Sequence, residues 1–212
     1  AADAEGQALT FSLSAGAGDT DNGDFEIVGD ELRTTVGLDF EAGETRSVRI
    51  QVSDGTMTLG KVFTVTVLDV NEAPGALALS ARVVDENAAQ AEIGTVSADD
   101  PDAGSTLTYS LDAGTGDTHN AQFELVGTTL RTRVPLDFEA GATRSVRILA
   151  TDGTESVTEV FTINVRDRND APGAITLDRS SILDSAADGA VVGTLSALDE
   201  DTLKPHVFTE IT

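Results

Sequence analysis

The feature that most constrains the fold is an internal repeat with constant spacing. The segment LDFEAG at Leu38 returns at Leu136, and RSVRI at Arg46 returns at Arg144. Both pairs are separated by 98 residues. Self-similarity at one fixed period indicates tandem copies of a single structural unit. The chain is therefore predicted to consist of domains that repeat about every 98 residues.

The phase of the repeat predicts the domain boundaries. Residues 1–73 form a copy that lacks its first strands, 74–171 form a complete copy, and 172–212 open a third copy. A β-domain missing either end exposes apolar faces and sheet edges. We therefore expect the natural chain to continue in both directions, or the missing strands to come from a neighbouring chain.

Apolar and polar residues alternate through much of the complete copy, which is the pattern of half-buried β-strands. Residues 145–150 and 160–165, separated by TDGTESVTE, predict a hairpin. Shorter strands are predicted at 76–79 (with its counterpart 174–177), 93–97, 107–111, 123–126 and 130–132. Seven short strands per copy favour an all-β fold of Greek-key β-sandwiches in tandem.

The composition limits the partners and the means of stabilisation. The chain has no cysteine, so disulfides do not hold the domains together. It has 37 acidic against 13 basic residues and a net charge of −24, which disfavours nucleic acid and anionic membranes. The acids either form a solvated surface or cluster to bind cations, and their positions discriminate between the two.

The informative acids recur in five clusters. They are the linkers 69–72 and 167–170, the D-F-E segments 39–41 and 137–139, the D-x-D or D-x-E segments 3–5, 100–102 and 199–201, the Asp-Gly turns at Asp54 and Asp152, and the single Glu86. Crowded carboxylates repel unless water or a cation compensates. Oxygen ligands without His or Cys suit Ca²⁺, which accepts six to eight oxygens in flexible geometry, better than Mg²⁺.

Together, LDFE, the D-x-D loop, the Asp-Gly turn, Glu86 and the linkers DVNEAP and DRNDAP resemble a cadherin repeat. The sequence pattern most resembles the cadherin-like repeats of large secreted or surface bacterial adhesins of the RTX type. The resemblance covers essentially the whole chain. It implies seven-stranded, immunoglobulin-like cadherin sandwiches whose linkers each bind about three calcium ions.

The resemblance also implies the calcium ligands, position by position. Glu72 replaces the family's usual Asp in the first linker. Ser185 stands where the complete copy has Glu86, so a further downstream calcium site is expected to be weaker. The linker between the first and second copies would use Asp39, Glu41, Val70, Asn71, Glu72, Ala73, Asp100, Asp102 and Asp152. The next linker would use Glu86, Asp137, Glu139, Arg168, Asn169, Asp170, Ala171, Asp199 and Asp201, and a preceding one Asp3, Glu5 and Asp54.

The function predicted from this pattern is a calcium-rigidified segment of a secreted or cell-surface bacterial adhesin. It would act in cell–cell or cell–surface contact, as a spacer or by binding a second copy of itself. A carbohydrate-binding module is the alternative, with surface polysaccharide as partner, although one Tyr and no Trp provide no aromatic platform for sugars. No catalytic arrangement recurs, so we do not expect an enzyme.

Three other signals favour structural interpretations. GDTDNGDF at 18–25 lacks the spacing of a calcium loop and predicts a solvated turn, and His119 and His206 are expected at the surface. The arginines on strand faces are expected to pair with acids on neighbouring strands; they are Arg46, Arg49, Arg144 and Arg147.

Overall fold

The structure, a computed structural model, describes residues 8–201. It contains fifteen β-strands and two short 3₁₀ turns, with no α-helix in that range. Accordingly, no described helix is long and apolar enough to cross a membrane. The described residues divide into two compact units, the first holding 8–72 and 100–105 and the second holding 73–99 and 106–201.

The first unit has five strands in two sheets. They are β1 (Thr10–Leu13), β2 (Phe25–Val28), β3 (Glu31–Thr34), β4 (Thr45–Ser53) and β5 (Thr58–Thr66). β4 lies between β1 and β5 in an antiparallel sheet, and β2 pairs with β3. In the β4–β5 turn, Asp54 Oδ1 accepts the N–H groups of Thr56 and Met57 at 2.7 and 2.6 Å. Asp54 therefore fixes this turn through its side chain.

The second unit holds the complete copy apart from residues 100–105, together with the opening of the third. Its strands are β6 (Ala78–Leu79), β7 (Val83–Asp85), β8 (Glu92–Ser97), β9 (Thr108–Leu111), β10 (Phe123–Val126), β11 (Thr129–Thr132), β12 (Thr143–Thr151), β13 (Ser156–Arg166), β14 (Ile175–Leu177) and β15 (Leu195–Ala197). One sheet has the order β10-β11-β8-β6 and the other β7-β13-β12-β9, while β14 and β15 pair with each other. The predicted all-β sandwich and the β12–β13 hairpin are confirmed.

The first strand of the complete copy is divided between the two sheets. β6 pairs antiparallel with β8, whereas β7 pairs in parallel with β13 of the other sheet. The sequence predicted only the first half of this strand. The second half, VVD, is too short to display an alternating pattern.

The core of the complete copy lies between its two sheets. Side chains along β12 alternate between buried and half-buried, as the period of two requires. Phe123, Leu130, Ile148 and Phe161 are almost completely buried, with exposures of 2% or less. Aliphatic residues and a few phenylalanines therefore fill the core without tryptophan.

The predicted pairing of strand arginines with acids is correct for Arg147 and wrong for Arg144. Arg147 Nε lies 2.7 Å from Asp112 Oδ2. Arg144 is only 5% exposed and donates instead to the main-chain oxygen of Asp137 at 2.7 Å and to Gln122 Oε1 at 2.9 Å. A buried guanidinium requires several acceptors, and the loop that leads into β12 supplies them as carbonyls.

His119, which was predicted at the surface, is only partly exposed, and one of its ring nitrogens is used in a hydrogen bond. His119 is half-buried, and its Nδ1 accepts the N–H of Ser145 at 2.9 Å. In the first unit Asp21 Oδ2 accepts the N–H of Ser47 in the same way at 2.6 Å. An acid of the GDTDNGDF segment thus attaches its loop to β4. His206 lies outside the described residues.

Candidate metal centres at the linkers

Four acids of the first unit converge at its linker, and we call them the first acidic cluster. Carboxylate oxygens of Glu41, Asp69, Glu72 and Asp102 lie within 4.8 Å of one another. Three of these acids were predicted as ligands from the sequence. Asp69 was not among the predicted ligands, although it belongs to the same linker motif as Glu72.

Main-chain hydrogen bonds hold the D-F-E loop beside this cluster. Asp39 Oδ1 accepts the N–H of Ala42 at 3.1 Å, and Arg46 Nη2 donates to the Asp39 carbonyl at 3.1 Å. Arg46 Nε also lies 3.6 Å from Asp24, which confirms its predicted pairing with an acid. This short loop between β3 and β4 places Glu41 toward the linker.

The D-x-D segment is joined to the linker by its carboxylates. Asp102 Oδ2 accepts the N–H of Glu72 at 3.0 Å, and Asp100 Oδ1 accepts the N–H of Asp102 at 3.0 Å. Asn71 Nδ2 donates to the carbonyl of Glu72 at 2.9 Å. The second oxygen of Asp100 is buried and has no hydrogen-bond donor. A bound cation would satisfy this buried oxygen, so the donor set is suited to a metal ion.

The buried Glu86 organises the second linker. It is 3% exposed, and its two oxygens accept the N–H of Phe138 at 2.6 Å and of Arg168 at 2.7 Å. Its own N–H donates to the carbonyl of Arg166 at 3.1 Å. Glu86 therefore joins the end of β7, the D-F-E loop and the linker. Among the acids of residues 83–92, Glu86 alone is buried.

Two overlapping groups of acids surround Glu86. Glu86, Glu139 and Asp167 form the second acidic cluster, and Asp137, Glu139 and Glu200 form the third, each with oxygens within 4.8 Å. Asp167 and Glu200 were not predicted as ligands. Both lie inside acidic motifs that the sequence analysis identified, 167–170 and 199–201. The sequence therefore located the motifs but did not select these two acids within them.

The second linker repeats the hydrogen bonds of the first. Asp201 Oδ2 accepts the N–H of Asp170 at 2.7 Å, and Asp199 Oδ1 accepts the N–H of Asp201 at 3.0 Å. Asn169 Nδ2 donates to the Asp170 carbonyl at 2.7 Å. The same pattern at two linkers indicates that this arrangement is encoded by the repeat.

The electrostatics of the clusters disfavour charge on their glutamates. Partial desolvation, followed by the charges of Glu41, Asp102 and Asp69, raises the pKa of Glu72 above its ordinary value. Partial desolvation likewise raises the pKa of Glu139, with contributions from Glu86, Asp167 and Asp170. Carboxylates that repel one another in this way are the ones that a divalent cation stabilises most.

The remaining predicted ligands have different surroundings. Asp152 Oδ1 accepts the N–H groups of Thr154 and Glu155 in the β12–β13 turn, which is also how Asp54 is held. The side chain of Arg168 pairs with Asp85 at 2.6 Å. Asp3 and Glu5 lie outside the described residues. The main-chain ligands Val70, Ala73, Arg168 and Ala171 stay predictions.

Comparison with known proteins identifies the domain type. No protein-family model matches the chain. Cadherin-related family member 1 of Xenopus laevis is 27% identical over 97% of this chain, which spans 26% of that protein. Human cadherin EGF LAG seven-pass G-type receptor 1 is 30% identical over 78% of the chain, and human protocadherin-16 is 33% identical over 68%. The chain spans only 6% and 5% of these two proteins.

Solved structures give the same fold. The EC1-2 fragment of human protocadherin-24 matches with a TM-score of 0.61 and 20% identity, over 79% of this chain and 86% of that one. Mouse cadherin-23 EC22-24 matches with a TM-score of 0.59 and 19% identity, over 91% and 65%. Other matched structures are described as extracellular cadherin domains of protocadherins. These relatives are vertebrate proteins, and the resemblance to bacterial adhesins stays a prediction.

Proposed function

Because the chain is built of cadherin-like domains, we propose that it is a calcium-rigidified adhesive segment of a secreted or cell-surface protein, of the kind found in bacterial adhesins. It mediates contact between cells or between a cell and a surface, as a spacer or by binding a second copy. It carries out no catalysis. Calcium ions, not disulfides, stabilise the linkers.

One observation carries this proposal: the same acidic arrangement occurs at two successive linkers. Each has a D-x-D carboxylate that accepts a linker N–H, and each has at least three carboxylates within 4.8 Å. On a solvated acidic surface, repulsion favours carboxylates that stay apart. Carboxylates that converge at the same place in two copies are instead typical of a structural cation site.

The chemistry of the side chains favours calcium. All cluster ligands are oxygens, and Ca²⁺ accepts many of them without strict geometry. About three ions at each of two linkers, as the resemblance implies, would contribute roughly +12 against the net charge of −24. Removing so much repulsion allows the linker to adopt one conformation.

The expected affinity agrees with an extracellular location. Extracellular calcium modules bind with dissociation constants of about 10⁻⁴ to 10⁻³ M, so cytosolic calcium would leave them empty. At one hundred times the dissociation constant, a bound ion stabilises the folded state by about 2.7 kcal/mol. In a domain of this size, that free energy raises the melting temperature on the order of 10 °C.

The experiment compares melting temperatures in millimolar calcium and in chelator. We expect calcium to raise the melting temperature of the native chain, and the double variant Glu72→Ala/Asp102→Ala to lose the part of the rise that depends on the first linker. Glu26→Ala/Asp30→Ala is the control, because it removes two exposed acids of the same unit outside the clusters. Equal calcium responses in all three proteins would contradict the proposal.

Adhesion is tested separately with beads that carry the native chain. Calcium-dependent aggregation of the beads supports binding between copies. Calcium-dependent stabilisation without aggregation supports the spacer, whereas calcium-independent retention on cellulose, alginate or chitin would favour the carbohydrate-binding alternative.

A further inference from the structure

Two polar groups of the first unit are buried without a hydrogen-bond partner. They are Nε of Arg49 on β4 and the hydroxyl of Ser14, the residue that follows β1. Arg49 was predicted to pair with an acid, but it forms no ion pair within residues 8–201, so that prediction is wrong. Buried polar groups are nearly always satisfied, and these two therefore require an explanation.

The complete copy shows what lies between the equivalent groups. Arg147 corresponds to Arg49 and Asp112 to Ser14, each at the repeat distance of 98 residues. Arg147 Nε donates to Asp112 Oδ2 at 2.7 Å. The first copy therefore has a serine where the complete copy has the carboxylate that pairs with the arginine.

The main chain at this position is held in the same way in both copies. The N–H of Ser14 donates to the carbonyl of Arg49 at 3.1 Å, and the N–H of Asp112 donates to the carbonyl of Arg147 at 3.0 Å. The replacement of aspartate by serine therefore changes the side chain and leaves the strand pairing around it intact.

The arginine side chains are also placed alike. A Cβ atom built on Gly16 would lie 3.1 Å from Arg49 Nε, and one built on Gly114 would lie 3.2 Å from Arg147 Nε. The space that the Asp112 carboxylate fills in the complete copy therefore lies, in the first copy, between the two unsatisfied groups. The shorter serine side chain leaves that space open.

This space lies on the outer side of the β1-β4-β5 sheet. Arg49 follows Val48, which is 0% exposed, and successive side chains of a strand point to opposite faces. The side chain of Arg49 is therefore directed away from the core. The loop 14–22 crosses this outer face, where the hydroxyl of Ser47 donates to the carbonyl of Gly18 at 2.9 Å. The loop shields the two unsatisfied groups from bulk water.

We propose that this space is a binding site for a small monovalent anion, which is chloride in a saline environment. The anion accepts hydrogen bonds from Arg49 Nε and from the Ser14 hydroxyl, and it supplies the negative charge that Asp112 supplies in the complete copy. A water molecule could accept both hydrogen bonds but would leave the guanidinium charge without a counterion. Because the missing group is a single carboxylate, large anions do not fit.

The neighbouring acids limit the affinity of this anion site. Asp19 Oδ2 accepts a main-chain N–H of its own loop at 2.9 Å, and Asp21 Oδ2 accepts the N–H of Ser47 at 2.6 Å. Both carboxylates are therefore engaged by main-chain donors. The complete copy holds the charge of Asp112 in a loop that also contains Asp117, the counterpart of Asp19. We expect a weak site that is occupied at salt concentrations of about 0.15 M.

The line width of the chloride resonance in nuclear magnetic resonance measures this binding, because exchange with a protein-bound state broadens the line. Ser14→Asp places a carboxylate in the site, as in the complete copy, and should reduce the broadening at least twofold. Ser12→Asp is the matched control, because it adds the same charge at an exposed position of β1 and should leave most of the broadening in place. Both variants should keep the calcium response of the melting temperature, which shows that they fold.

The reverse exchange should create a second site. Asp112→Ser removes the carboxylate beside Arg147 and should increase the broadening above that of the native chain. Anomalous diffraction from crystals grown in bromide then gives the position of the anion. We expect a bromide peak between Ser14 and Arg49 in the native chain and none beside Asp112.

Two outcomes would overturn the proposal. One is equal broadening by the native chain and by Ser14→Asp. The other is an ordered water molecule between Ser14 and Arg49 in the bromide crystals, without an anomalous peak. Neither outcome involves the acidic clusters, so the proposed calcium-dependent function is tested separately.

Discussion

The two linkers have nearly the same sequence but are held in different ways. In the second, Glu86 is buried and accepts two main-chain N–H groups, one from the D-F-E loop and one from the linker. In the first acidic cluster three of the four acids are exposed and the fourth is half-buried. Glu86 therefore gives the second linker a central anchor made by the protein. The position equivalent to Glu86 in the first copy would precede residue 1, so the two linkers are compared in the residues that both copies contain.

The charges around the two linkers differ as well. Arg168 pairs with Asp85 at 2.6 Å, and Asn87 Nδ2 donates to Asp170 Oδ1 at 2.5 Å. At the position of Arg168 the first linker has Val70, which is 69% exposed. From this comparison we predict that the two linkers depend on a bound cation to different degrees, because the residues outside the shared acidic motif differ.

The largest expected effect comes from removing the anchor of the second linker. Glu86→Ala leaves two main-chain donors without an acceptor and should lower the free energy of unfolding by about 3 kcal/mol. Urea unfolding in the presence of chelator measures it. Glu139→Ala is the control, because this neighbouring cluster acid is exposed and should cost much less. Equal losses would show that Glu86 anchors the second linker no more than an exposed acid of the same cluster does.

Proteolysis compares the two linkers within one molecule. In chelator, a protease of broad specificity should cut at 69–72 up to about fivefold faster than at 167–170, because Val70, unlike Arg168, carries no charge that offsets the neighbouring acids. Mass spectrometry of the early fragments identifies the cuts. Calcium should slow both cuts and reduce the difference. Faster cutting at 167–170 would reverse the comparison.

Exchanging one residue between the linkers tests the role of charge. Val70→Arg should reduce the repulsion in the first acidic cluster, and Arg168→Val should increase it at the second linker. Each change should shift the calcium-free stability by up to about 1 kcal/mol, because exposed ion pairs contribute little. Melting in chelator measures the shift, with Val126→Arg, also exposed but on β10, as the control.

The smallest effect is a dependence on pH. The pKa values of Glu72 and Glu139 are raised in the folded state, so protonation favours folding, and this contribution is lost as the pH rises through the raised values. In chelator, lowering the pH from 7 toward the ordinary glutamate value of 4.5 should therefore raise the melting temperature slightly. In calcium the same change should lower it, because protons compete with the metal. The same direction in both buffers would contradict the interpretation.

Asp54 has the opposite dependence on pH from Glu72 and Glu139, because its pKa is lowered in the folded state. Hydrogen bonds from the main-chain N–H groups of Met57 and Thr56 lower its pKa. Its contribution to stability is present above the ordinary aspartate range and is lost only as the pH falls through the lowered value. Part of the loss of stability at acidic pH is therefore expected from this turn.

The fold was predictable because the repeat and the alternation of apolar residues are both local features of the sequence. The strand at 123–126 was predicted at its observed bounds, and the β12–β13 hairpin was predicted within a few residues of them. What the sequence did not reveal depends on long-range contacts. Arg144 resembles an ordinary strand arginine, and only the folding of the 137–142 loop over β12 explains its burial.

The same limit applies to the candidate metal centres. The sequence identified every acidic motif, because carboxylates at equivalent positions of several copies are visible without a structure. It did not single out Asp69, Asp167 and Glu200, because which carboxylates of a motif converge depends on the local course of the chain. The burial of Glu86 was likewise not readable from a single acid in VVDENAA.

The division of the first strand has a mechanical consequence. β7 runs parallel to β13, the last strand of the same domain, with Asn164 opposite Val83 and Arg166 opposite Asp85. A tensile force between the two ends of the domain pulls these parallel neighbours in opposite directions. The interstrand hydrogen bonds then bear the load together, in shear, and do not open one after another from an end. A tether made of such domains resists stretching most strongly at the strand pair next to its linkers.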